Sequence, residues 1–336
     1  MRKLRFGRTE AQVSSVSLGT WAHGGPRFVG GKAIGWFGTN DRLVRLTLLK
    51  AHEAGIDHWD TADVYGDGHA ESLIGKLWSQ VPRDDIFLAS KVGWDPGPFG
   101  HFYHPQQIRQ QLERSLRLLA TDHLDLYYFH HCEFGPDDLY LDDALAVLER
   151  FRDEGKIRFI GLSDWKSDKL LRFARRIRPD VVQTYRNVSD DHFEESGLAA
   201  WVRANDVGVA FFSPLRHGLL LGLFEGPVTF GAGDHRSDIA EFRDFALLDR
   251  LRTCRKKMEE RFAGHPEPVL YGLVGALMTE APTATVLLGV HRPSQVVAAA
   301  EIGEPLSAED ARWVLDLYRE NGRSTRGAWR LDTDEI

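Results

Sequence analysis

The chain alternates between two hydrophobic patterns along most of its length. Short, nearly continuous apolar runs such as "DIFLASKVG" and "HLDLYYFHH" indicate buried strands, whereas segments with a 3.6-residue period indicate amphipathic helices. In the first such helix, Asp41 is expected as the N-cap and Gly55 follows the periodic apolar face. Strands and helices alternate at intervals of roughly 25–40 residues, which predicts a parallel sheet. Because eight such units follow one another, the pattern favours an α/β fold of the (β/α)8 TIM-barrel type.

The predicted barrel occupies about residues 15–302 of a single domain that spans 1–336. Two short alternating runs predict a β-hairpin over 3–14, and residues 303–336 are expected to form a C-terminal helix and tail. A Gly-rich loop is expected after the first barrel strand, and a long loop over 216–243 precedes extra helical segments. No G-x-G-x-x-G sequence follows the first strand, which argues against a doubly wound dinucleotide-binding domain.

The composition is that of an ordinary soluble enzyme. The 336 residues carry a net charge of −7, and nothing suggests the basic face that nucleic-acid binding requires. Because Cys132 and Cys254 are far apart and form no disulfide framework, a reducing, cytoplasmic location is predicted. The basic start lacks the apolar part of a secretory signal, and no run approaches the ~20 apolar residues of a membrane span. No nucleic-acid or membrane partner is expected, and both a monomer and a homo-oligomer remain open.

Polar residues with complementary chemistry follow the second, third and fourth predicted strands. "HWDTADVYGDG" supplies Asp60 and Tyr65, "ASKVGW" supplies Lys91, and "YYFHHCE" supplies His130. These side chains can converge, because barrel active sites lie at the carboxyl ends of the strands. A buried ammonium beside a phenol lowers the phenol pKa, a carboxylate keeps that ammonium charged, and an imidazole can orient a carbonyl. These four side chains could protonate the alkoxide that forms when a carbonyl group is reduced. The hydride of a nicotinamide is a suitable source of electrons for that reduction.

Each of these residues also has another interpretation. Asp60 could simply cap the turn between strand and helix, and Lys91 could form a Schiff base, as lysines of barrel aldolases do. Asp63, which lies between Asp60 and Tyr65, is interpreted as a turn residue. The run "HHCE" looks like a metal cluster, but adjacent strand residues point to opposite faces, so no metal site is expected. The combination of an acid, a phenol, a lysine and a histidine favours the catalytic interpretation.

The same motifs resemble, in the same order, those of the aldo-keto reductase superfamily, and the likeness covers nearly the whole chain. The resemblance implies a catalytic set of Asp60, Tyr65, Lys91 and His130 that reduces an aldehyde or ketone with NAD(P)H. The resemblance equally implies the reverse reaction, the oxidation of an alcohol, and a sugar is one of the candidate substrates. The length and the long loop after the seventh strand look most like the bacterial open-ended group related to potassium-channel β subunits. A cofactor-binding regulatory or redox-sensing subunit with slow turnover is therefore the alternative.

Further motifs resemble the cofactor site of that family. In "GLSDW" and "VVQTY", Ser163 and Gln183 match residues that hold the nicotinamide carboxamide, and Phe212 matches an aromatic residue that stacks on the ring. "SPLRHGLLLG" resembles the loop over the pyrophosphate, and "LLGVHRPSQV" resembles the segment that holds the adenosine phosphate. The residues that the resemblance assigns to cofactor binding are Ser163, Asp164, Gln183, Phe212, Ser213, Pro214, Leu215, Gly218, Gly289, His291, Arg292 and Gln295.

Several positions depart from the pattern of the family. Asp164 replaces a frequent Asn, and a carboxylate cannot donate a hydrogen bond to the carboxamide oxygen. Leu223 replaces a Lys, while Ala298 and Ala299 replace the Glu and Asn that usually hold adenine. Arg292 retains a guanidinium that suits a 2′-phosphate, so NADP(H) is the expected cofactor and NAD(H) stays open.

The loops after the first and third strands are rich in aromatic residues, which could form an apolar wall for ring-containing substrates. His131, Asp164 and Arg216 near the mouth would instead suit polar, sugar-like carbonyls. The sequence does not decide between these two substrate classes, and it does not give the direction of the reaction. The residues predicted to line the pocket are Trp21, Trp36, Trp94 and His131.

Overall fold

The computed structural model describes residues 1–29 and 31–322, and at its centre eight parallel strands form a closed barrel. In chain order the strands are β1 (Lys3–Arg5), β2 (Gln12–Ser14), β3 (Val16–Gly19), β4 (Phe28–Val29), β5 (Lys32–Ala33), β6 (His58–Asp60), β7 (Phe87–Val92), β8 (Leu124–Phe129), β9 (Ile157–Asp164), β10 (Val181–Tyr185), β11 (Gly208–Phe212) and β12 (Ala284–Gly289). Around the barrel the order is β3, β6, β7, β8, β9, β10, β11 and β12, and β12 pairs with β3. The prediction of a (β/α)8 barrel is confirmed.

Helices cover the outside of the barrel and connect its strands. In chain order they are α1 (Asp41–Glu53), α2 (His69–Gly75), α3 (Pro105–Leu118), α4 (Leu141–Asp153), α5 (Ser167–Ile177), α6 (His192–Glu195), α7 (Leu198–Asn205), α8 (Phe245–Arg261), α9 (Pro268–Glu280), α10 (Pro293–Ala300) and α11 (Ala308–Asn321). Each of α3, α4 and α5 buries one apolar face, as the 3.6-residue period predicts. Helices α8 and α9 lie between β11 and β12, where the sequence predicted extra helical segments.

The N-terminal hairpin closes one end of the barrel. Strands β1 and β2 pair antiparallel, with Leu4 opposite Val13. The Phe6 ring packs against His58 and Phe87, with ring centroids 5.4 Å and 5.8 Å away. Because His58 and Phe87 are the first residues of β6 and β7, the hairpin covers the amino ends of the strands and leaves the carboxyl ends open.

Two local predictions were wrong. Asn40 and not Asp41 is the N-cap of α1, and its side chain accepts a hydrogen bond from the Leu43 N–H at 2.9 Å. Both residue types are good caps, so propensity alone cannot choose between them. The Gly-rich segment after β3 is not a plain loop, because β4 and β5 pair antiparallel within it. The predicted C-terminal tail beyond Gly322 lies outside the described residues.

The segment between β11 and α8 reaches the carboxyl end of the barrel. It contains the 3₁₀ turns Leu219–Leu221, His235–Asp238 and Ala240–Arg243. A parallel bridge between Gly35 and Asp234 joins it to the segment that follows β5. Within residues 1–29 and 31–322, no helix is long and apolar enough to cross a membrane.

Candidate active site

Asp60 and Tyr65 lie at and just beyond the carboxyl end of β6, in a turn that is fixed to the neighbouring strand. The Asp63 N–H donates to the Lys91 carbonyl at 3.3 Å, which ties the turn to β7. The Tyr65 N–H donates to the Ala62 carbonyl at 3.1 Å, which closes the turn on itself. These backbone bonds hold the tyrosine over the barrel mouth.

The turn that carries Tyr65 also packs against the 3₁₀ turn Trp21–Gly24 after β3. A Cβ atom at Gly66 would lie 2.3 Å from the Gly24 carbonyl oxygen, and the Gly66 φ of +63° favours glycine as well. The Trp21 ring stacks on the Tyr65 ring, with centroids 6.3 Å apart. Any side chain at Gly66 would therefore displace the segment that positions Tyr65.

Lys91 is the central residue of the site. Its buried ammonium contacts the Asp60 carboxylate, the Thr61 carbonyl at 2.8 Å and the Tyr65 hydroxyl at 3.4 Å. Burial disfavours the charged form, but Asp60 and Tyr65 together raise the pKa of Lys91 above its ordinary value. A charged lysine with these three partners is a poor nucleophile for a Schiff base, so the aldolase alternative is not supported.

Tyr65 is protonated at neutral pH in this environment. Burial raises the pKa of its hydroxyl, and the positive charge of Lys91 offsets part of that effect. Lys91 therefore lowers the pKa of Tyr65, as predicted, but burial raises that pKa by more. A protonated phenol in contact with an ammonium is the state that a general acid requires.

His130 completes the group from the end of β8. Its ring lies 5.8 Å from the Tyr65 ring, centroid to centroid, and nearly perpendicular to it. Its Nδ1 is buried and has no hydrogen-bond partner among the described residues. Burial, Lys91 and His131 hold the pKa of His130 well below its usual range, so the imidazole is neutral and can donate one hydrogen bond. The four residues predicted as catalytic, which include Asp60, therefore meet in one place.

The residues predicted for the nicotinamide end lie on β9, β10 and β11, beside the catalytic group. Ser163 and Gln183 are neighbours in the strand ladder, and Gln183 Nε2 donates to Asp60 Oδ2 at 2.8 Å. Phe212 is half-buried at the end of β11, with its ring 4.7 Å from that of Trp165. The hydroxyl and amide side chains can form hydrogen bonds with a carboxamide, and the aromatic ring can stack on the flat heterocycle that carries it.

The Asp164 carboxyl is bonded to the backbone of two neighbouring loops. Its Oδ2 accepts from the Cys132 N–H at 2.8 Å and its Oδ1 accepts from the Lys166 N–H at 2.9 Å. Burial raises the pKa of the Asp164 carboxyl to about 6. The carboxyl thus joins the loops after β8 and β9, and the assignment of Asp164 to cofactor binding stays a prediction.

The loop after β11 has an uncommon backbone conformation. Ser213, Arg216 and His217 have φ angles of 56°, 45° and 58°, and Gly218 follows at 90°. Non-glycine residues adopt such angles only where the surroundings impose them, and this is frequent at ligand-binding loops. A Cβ atom at Gly218 would have no atom within 4 Å, so this loop faces open space. The assignment of Ser213, Pro214, Leu215 and Gly218 to a pyrophosphate stays a prediction.

The residues predicted for the adenosine end lie where β12 is followed by α10. Gly289 ends β12, and the side-chain oxygen of Gln295 accepts from the His291 N–H at 3.0 Å. Arg292 is exposed at the N-cap position of α10. A guanidinium beside a helix N-terminus suits a phosphate group, so these residues fit the phosphorylated end of a dinucleotide.

Two tryptophans lie beside the group formed by Asp60, Tyr65, Lys91 and His130. Trp21 stacks on Tyr65, and the Trp94 ring lies 5.8 Å from that of His130. Trp36 lies farther out, edge-on to Trp21 at 6.0 Å. All three tryptophans are half-buried.

Two polar residues expected at the mouth lie inside the protein instead. His131 is buried, its Nε2 contacts the Gly93 carbonyl, and its ring packs 4.6 Å from that of Trp94. Arg216 is buried in an ion pair with Glu241 at 2.7 Å. Both side chains are bonded within the protein, and the assignment of His131 to the substrate pocket stays a prediction. Both residues follow closely in sequence after the end of a barrel strand, as residues of the mouth do. Only the packing shows that their side chains point into the protein.

The run "HHCE" does not form one cluster. His130 faces Tyr65, His131 packs behind Trp94, and Glu133 pairs with Lys169. In the part of the chain that the structure describes, no three His, Cys, Asp or Glu side chains are grouped so that they could hold a metal ion.

Two histidines that the sequence analysis did not select lie at the mouth. His217 Nδ1 and His235 Nε2 are 3.1 Å apart, and the His235 ring lies 4.3 Å from Trp21 and 4.7 Å from Trp36. Burial lowers the pKa of His235 to about 4 and that of His217 well below its usual range. The stretch "GAGDHRSD" in the long loop was the available signal, but the sequence does not show that it folds back onto Trp21.

Comparisons with known proteins agree with this geometry. The chain matches the model of the Aldo/keto reductase family over residues 15–317. It is 29% identical over 309 residues to the aldo-keto reductase YhdN of Bacillus subtilis, and the match covers 90% of this chain and 89% of that protein. It is 31% identical over 237 residues to the NADH-specific methylglyoxal reductase of Escherichia coli, covering 66% of this chain and 70% of that protein.

Solved structures share the fold. A glycerol dehydrogenase of Gluconobacter oxydans superposes with a TM-score of 0.78 at 24% identity and covers 95% of both chains. An aldo/keto reductase of Klebsiella pneumoniae in complex with NADP and acetate superposes with a TM-score of 0.69 at 23% identity, covering 98% of this chain and 99% of that one. At these identities the likeness shows the barrel architecture.

Proposed function

We propose that this chain, which belongs to the aldo/keto reductase family, reduces an aldehyde or ketone with NADPH and uses Tyr65 as its proton donor. NAD(P)H-dependent interconversion of carbonyls and alcohols is the reaction of this oxidoreductase family, whereas the preferred cofactor and the residue roles are our proposal. One observation supports the roles above all others: the Lys91 ammonium contacts both Asp60 and the Tyr65 hydroxyl at the barrel mouth.

The residues divide the chemistry among themselves. When bound, the nicotinamide supplies the hydride that reduces the carbonyl carbon. The Tyr65 hydroxyl gives its proton to the carbonyl oxygen, and Lys91 stabilises the negative charge that this leaves on the phenol. Asp60 keeps Lys91 charged and oriented, and His130 donates a hydrogen bond that holds the carbonyl oxygen toward Tyr65. Ser163, Gln183 and Phe212 would hold the nicotinamide, since they lie beside this group.

Turnover is tested by following NADPH consumption with a panel of aldehydes and ketones. We expect turnover with at least one class of carbonyl, because the proton donor and the residues that tune it are all in contact. Tight NADPH binding without multiple turnover for any member of the panel would favour the alternative of a regulatory subunit.

NADPH is proposed over NADH because of Arg292. Its guanidinium is exposed beside the start of α10, where it can form a bidentate contact with a 2′-phosphate. The other expected contacts at this end are weak, since Leu223 is 58% exposed and the Ala298 and Ala299 side chains offer no polar group. The phosphate contact of Arg292 is therefore expected to provide most of the preference.

Replacing Arg292 with Ala should weaken NADPH binding by about 10- to 100-fold, the effect of losing a hydrogen-bonded charge pair. NADH binding should change by less than about twofold, because NADH lacks the phosphate that the guanidinium would contact. Titration of cofactor by quenching of protein fluorescence measures both affinities. Arg312→Ala, at an exposed position on α11, is the matched control. If the Arg292 variant loses affinity for NADPH and for NADH to the same extent, the result would contradict the proposal.

The site favours carbonyls attached to apolar or aromatic groups. The polar residues that suggested sugar-like substrates, His131, Asp164 and Arg216, are buried and bonded within the protein. The side chains that remain at the mouth around Tyr65 and His130 include the three half-buried tryptophans described above. Aromatic walls bind flat apolar groups through buried area and ring stacking.

Replacing Trp94 with Ala is expected to lower kcat/KM for an aromatic aldehyde by about 10-fold, because the substituent loses one wall of its pocket. For methylglyoxal, which has no ring, kcat/KM should fall by less than about threefold. The ratio of the two substrates serves as an internal control, because a damaged catalytic group would affect both. An unchanged ratio would show that Trp94 does not contact the substituent.

A further inference from the structure

Arg216 attaches the cofactor loop, residues 213–218 after β11, to three other parts of the chain. Its side chain is 7% exposed, and its Nη2 donates to the Glu241 carboxylate at 2.7 Å. Its Nη1 donates to the Gly322 carbonyl after α11 at 2.7 Å and makes a longer contact of 3.5 Å with the Ser189 hydroxyl after β10. A guanidinium can satisfy several acceptors at once, because its five N–H donors form a rigid fork. Arg216 is therefore held by three separate segments.

The backbone of Arg216 gives the cofactor loop its shape. Its φ angle is 45°, and that of the next residue, His217, is 58°. The Arg216 N–H donates to the Ser213 carbonyl at 3.1 Å, and the Leu219 N–H donates to the Arg216 carbonyl at 3.0 Å. Left-handed angles are unfavourable for residues with a Cβ atom, so contacts from the surroundings must maintain them. The buried contacts of the Arg216 side chain are such contacts.

Both left-handed residues contact the same outer segment, residues 231–243. Glu241, the partner of Arg216, belongs to the 3₁₀ turn Ala240–Arg243 of this segment. His217 Nδ1 lies 3.1 Å from His235 Nε2, which belongs to the same segment. Two successive residues of the cofactor loop are thus fixed to the outer segment at points six positions apart.

The outer segment has its own attachments to the rest of the protein. The buried Asp234 carboxylate accepts a hydrogen bond from the Phe37 N–H at 3.1 Å. Beside Glu241, the buried Phe242 ring packs 4.9 Å from that of Phe230. Because these contacts do not involve the cofactor loop, the outer segment can serve as a fixed support for it.

The Arg216 guanidinium is not available to a ligand. It is buried against Glu241, whose side chain is 2% exposed, so the two charges largely cancel. The accessible part of the cofactor loop lies two residues on, at Gly218, where a Cβ atom would have no atom within 4 Å. Any effect of Arg216 on a bound cofactor must therefore act through the conformation of the loop.

We propose that Arg216 and Glu241 are positioning residues for cofactor binding, a buried ion pair that holds residues 213–218 in the conformation that receives the pyrophosphate. This inference rests on the proposed function, which takes these residues to hold the pyrophosphate of the dinucleotide. A loop that already has its bound conformation binds more tightly, because binding need not order it. Since the pyrophosphate is common to both cofactors, the ion pair should support NADPH and NADH equally.

Arg216→Met should weaken the binding of NADPH and NADH by the same factor, about 10-fold, as expected if about a tenth of the molecules keep the loop in its bound conformation. Fluorescence titration measures both affinities. Arg83→Met is the matched control, because Arg83 forms a similarly buried ion pair with Asp125 at 2.9 Å, near the amino end of β8. The control should lower Tm but leave both affinities within about twofold. Unchanged affinities in Arg216→Met would overturn the inference.

Two further variants separate positioning from direct attraction and from stability. Glu241→Gln keeps the size of the side chain and removes its charge, so both affinities should fall by about threefold. If the Arg216 charge itself attracted the pyrophosphate, this variant would bind both cofactors more tightly. Adding Glu241→Met to Arg216→Met leaves no charge of this pair buried, so Tm should recover while both affinities stay weak.

Tighter binding in Glu241→Gln would overturn the inference, as would affinities that recover together with Tm in the double variant. In the second case the ion pair would stabilise the fold without shaping the cofactor loop. A wild type that binds neither NADPH nor NADH would instead refute the proposed function, and the inference would fall with it.

Discussion

Tyr65→Phe is expected to lower kcat for carbonyl reduction by about 10²–10⁴-fold, the usual contribution of a positioned general acid. The substitution removes only the hydroxyl that lies 3.4 Å from the Lys91 ammonium. The phenylalanine ring can still stack on Trp21, so the turn and the apolar wall should keep their shape. The affinity for NADPH should therefore change by less than about threefold. Steady-state kinetics and a fluorescence titration measure the two quantities.

A second tyrosine provides a matched control for this experiment. Tyr128 points into the same barrel, with Lys91 Nζ 5.9 Å from its ring, and its hydroxyl is buried. Tyr128→Phe should leave kcat within about twofold, because no proton transfer is assigned to this hydroxyl. Turnover that survives in Tyr65→Phe, or that is lost equally in both variants, would refute the assignment of Tyr65.

The barrel and the meeting of four polar side chains at its mouth could be predicted because both depend on local patterns. Strand and helix periods are encoded within short segments, and the rule that barrel sites lie at the carboxyl ends of strands reduces the candidates to a few positions. Asp60, Tyr65, Lys91 and His130 all follow from that rule, and the structure brings them together.

The orientation of side chains that share the same local sequence setting could not be predicted. His130 and His131 are adjacent at the end of β8, yet one faces Tyr65 and the other packs under Trp94. Arg216 is withdrawn from the mouth by Glu241, which lies 25 positions away and joins it only after the long loop has folded. The positions of such partners depend on tertiary packing, which the periodic pattern does not specify.

The burial of Asp63 could not be predicted for a related reason. In the sequence Asp63 looks like a turn residue, since Asp is frequent in turns and two glycines follow closely. Its burial accompanies the packing of α3 against α2 and β7, and Glu71 of α2 accepts a hydrogen bond from Ser90 of β7. Asp63 does lie in a turn, as the sequence predicts, but a turn that helices cover is buried, and this packing is not written in the local pattern.

Lys91→Met is expected to abolish turnover and also to lower the free energy of unfolding by about 3–5 kcal/mol, the effect of leaving one partner of a buried ion pair alone. The Asp60 and Lys91 side chains are 3% and 1% exposed, so water cannot replace the missing ammonium. Gln183 would still donate to Asp60 Oδ2, but one neutral hydrogen bond does not balance a buried carboxylate. Urea unfolding gives the stability, and steady-state kinetics give the turnover.

Adding Asp60→Asn to Lys91→Met separates the two effects. The double variant has no buried charge at this place, so most of the lost stability should return, while turnover should remain absent because Tyr65 lacks its ammonium. Lys76→Met, at an exposed position after α2, controls for the loss of a lysine and should change neither quantity. If the double variant stays as unstable as the single one, the ion pair is not the source of the destabilisation. If either variant turns over at a wild-type rate, Lys91 has no part in proton transfer, and the contact between its ammonium and the Tyr65 hydroxyl is structural only.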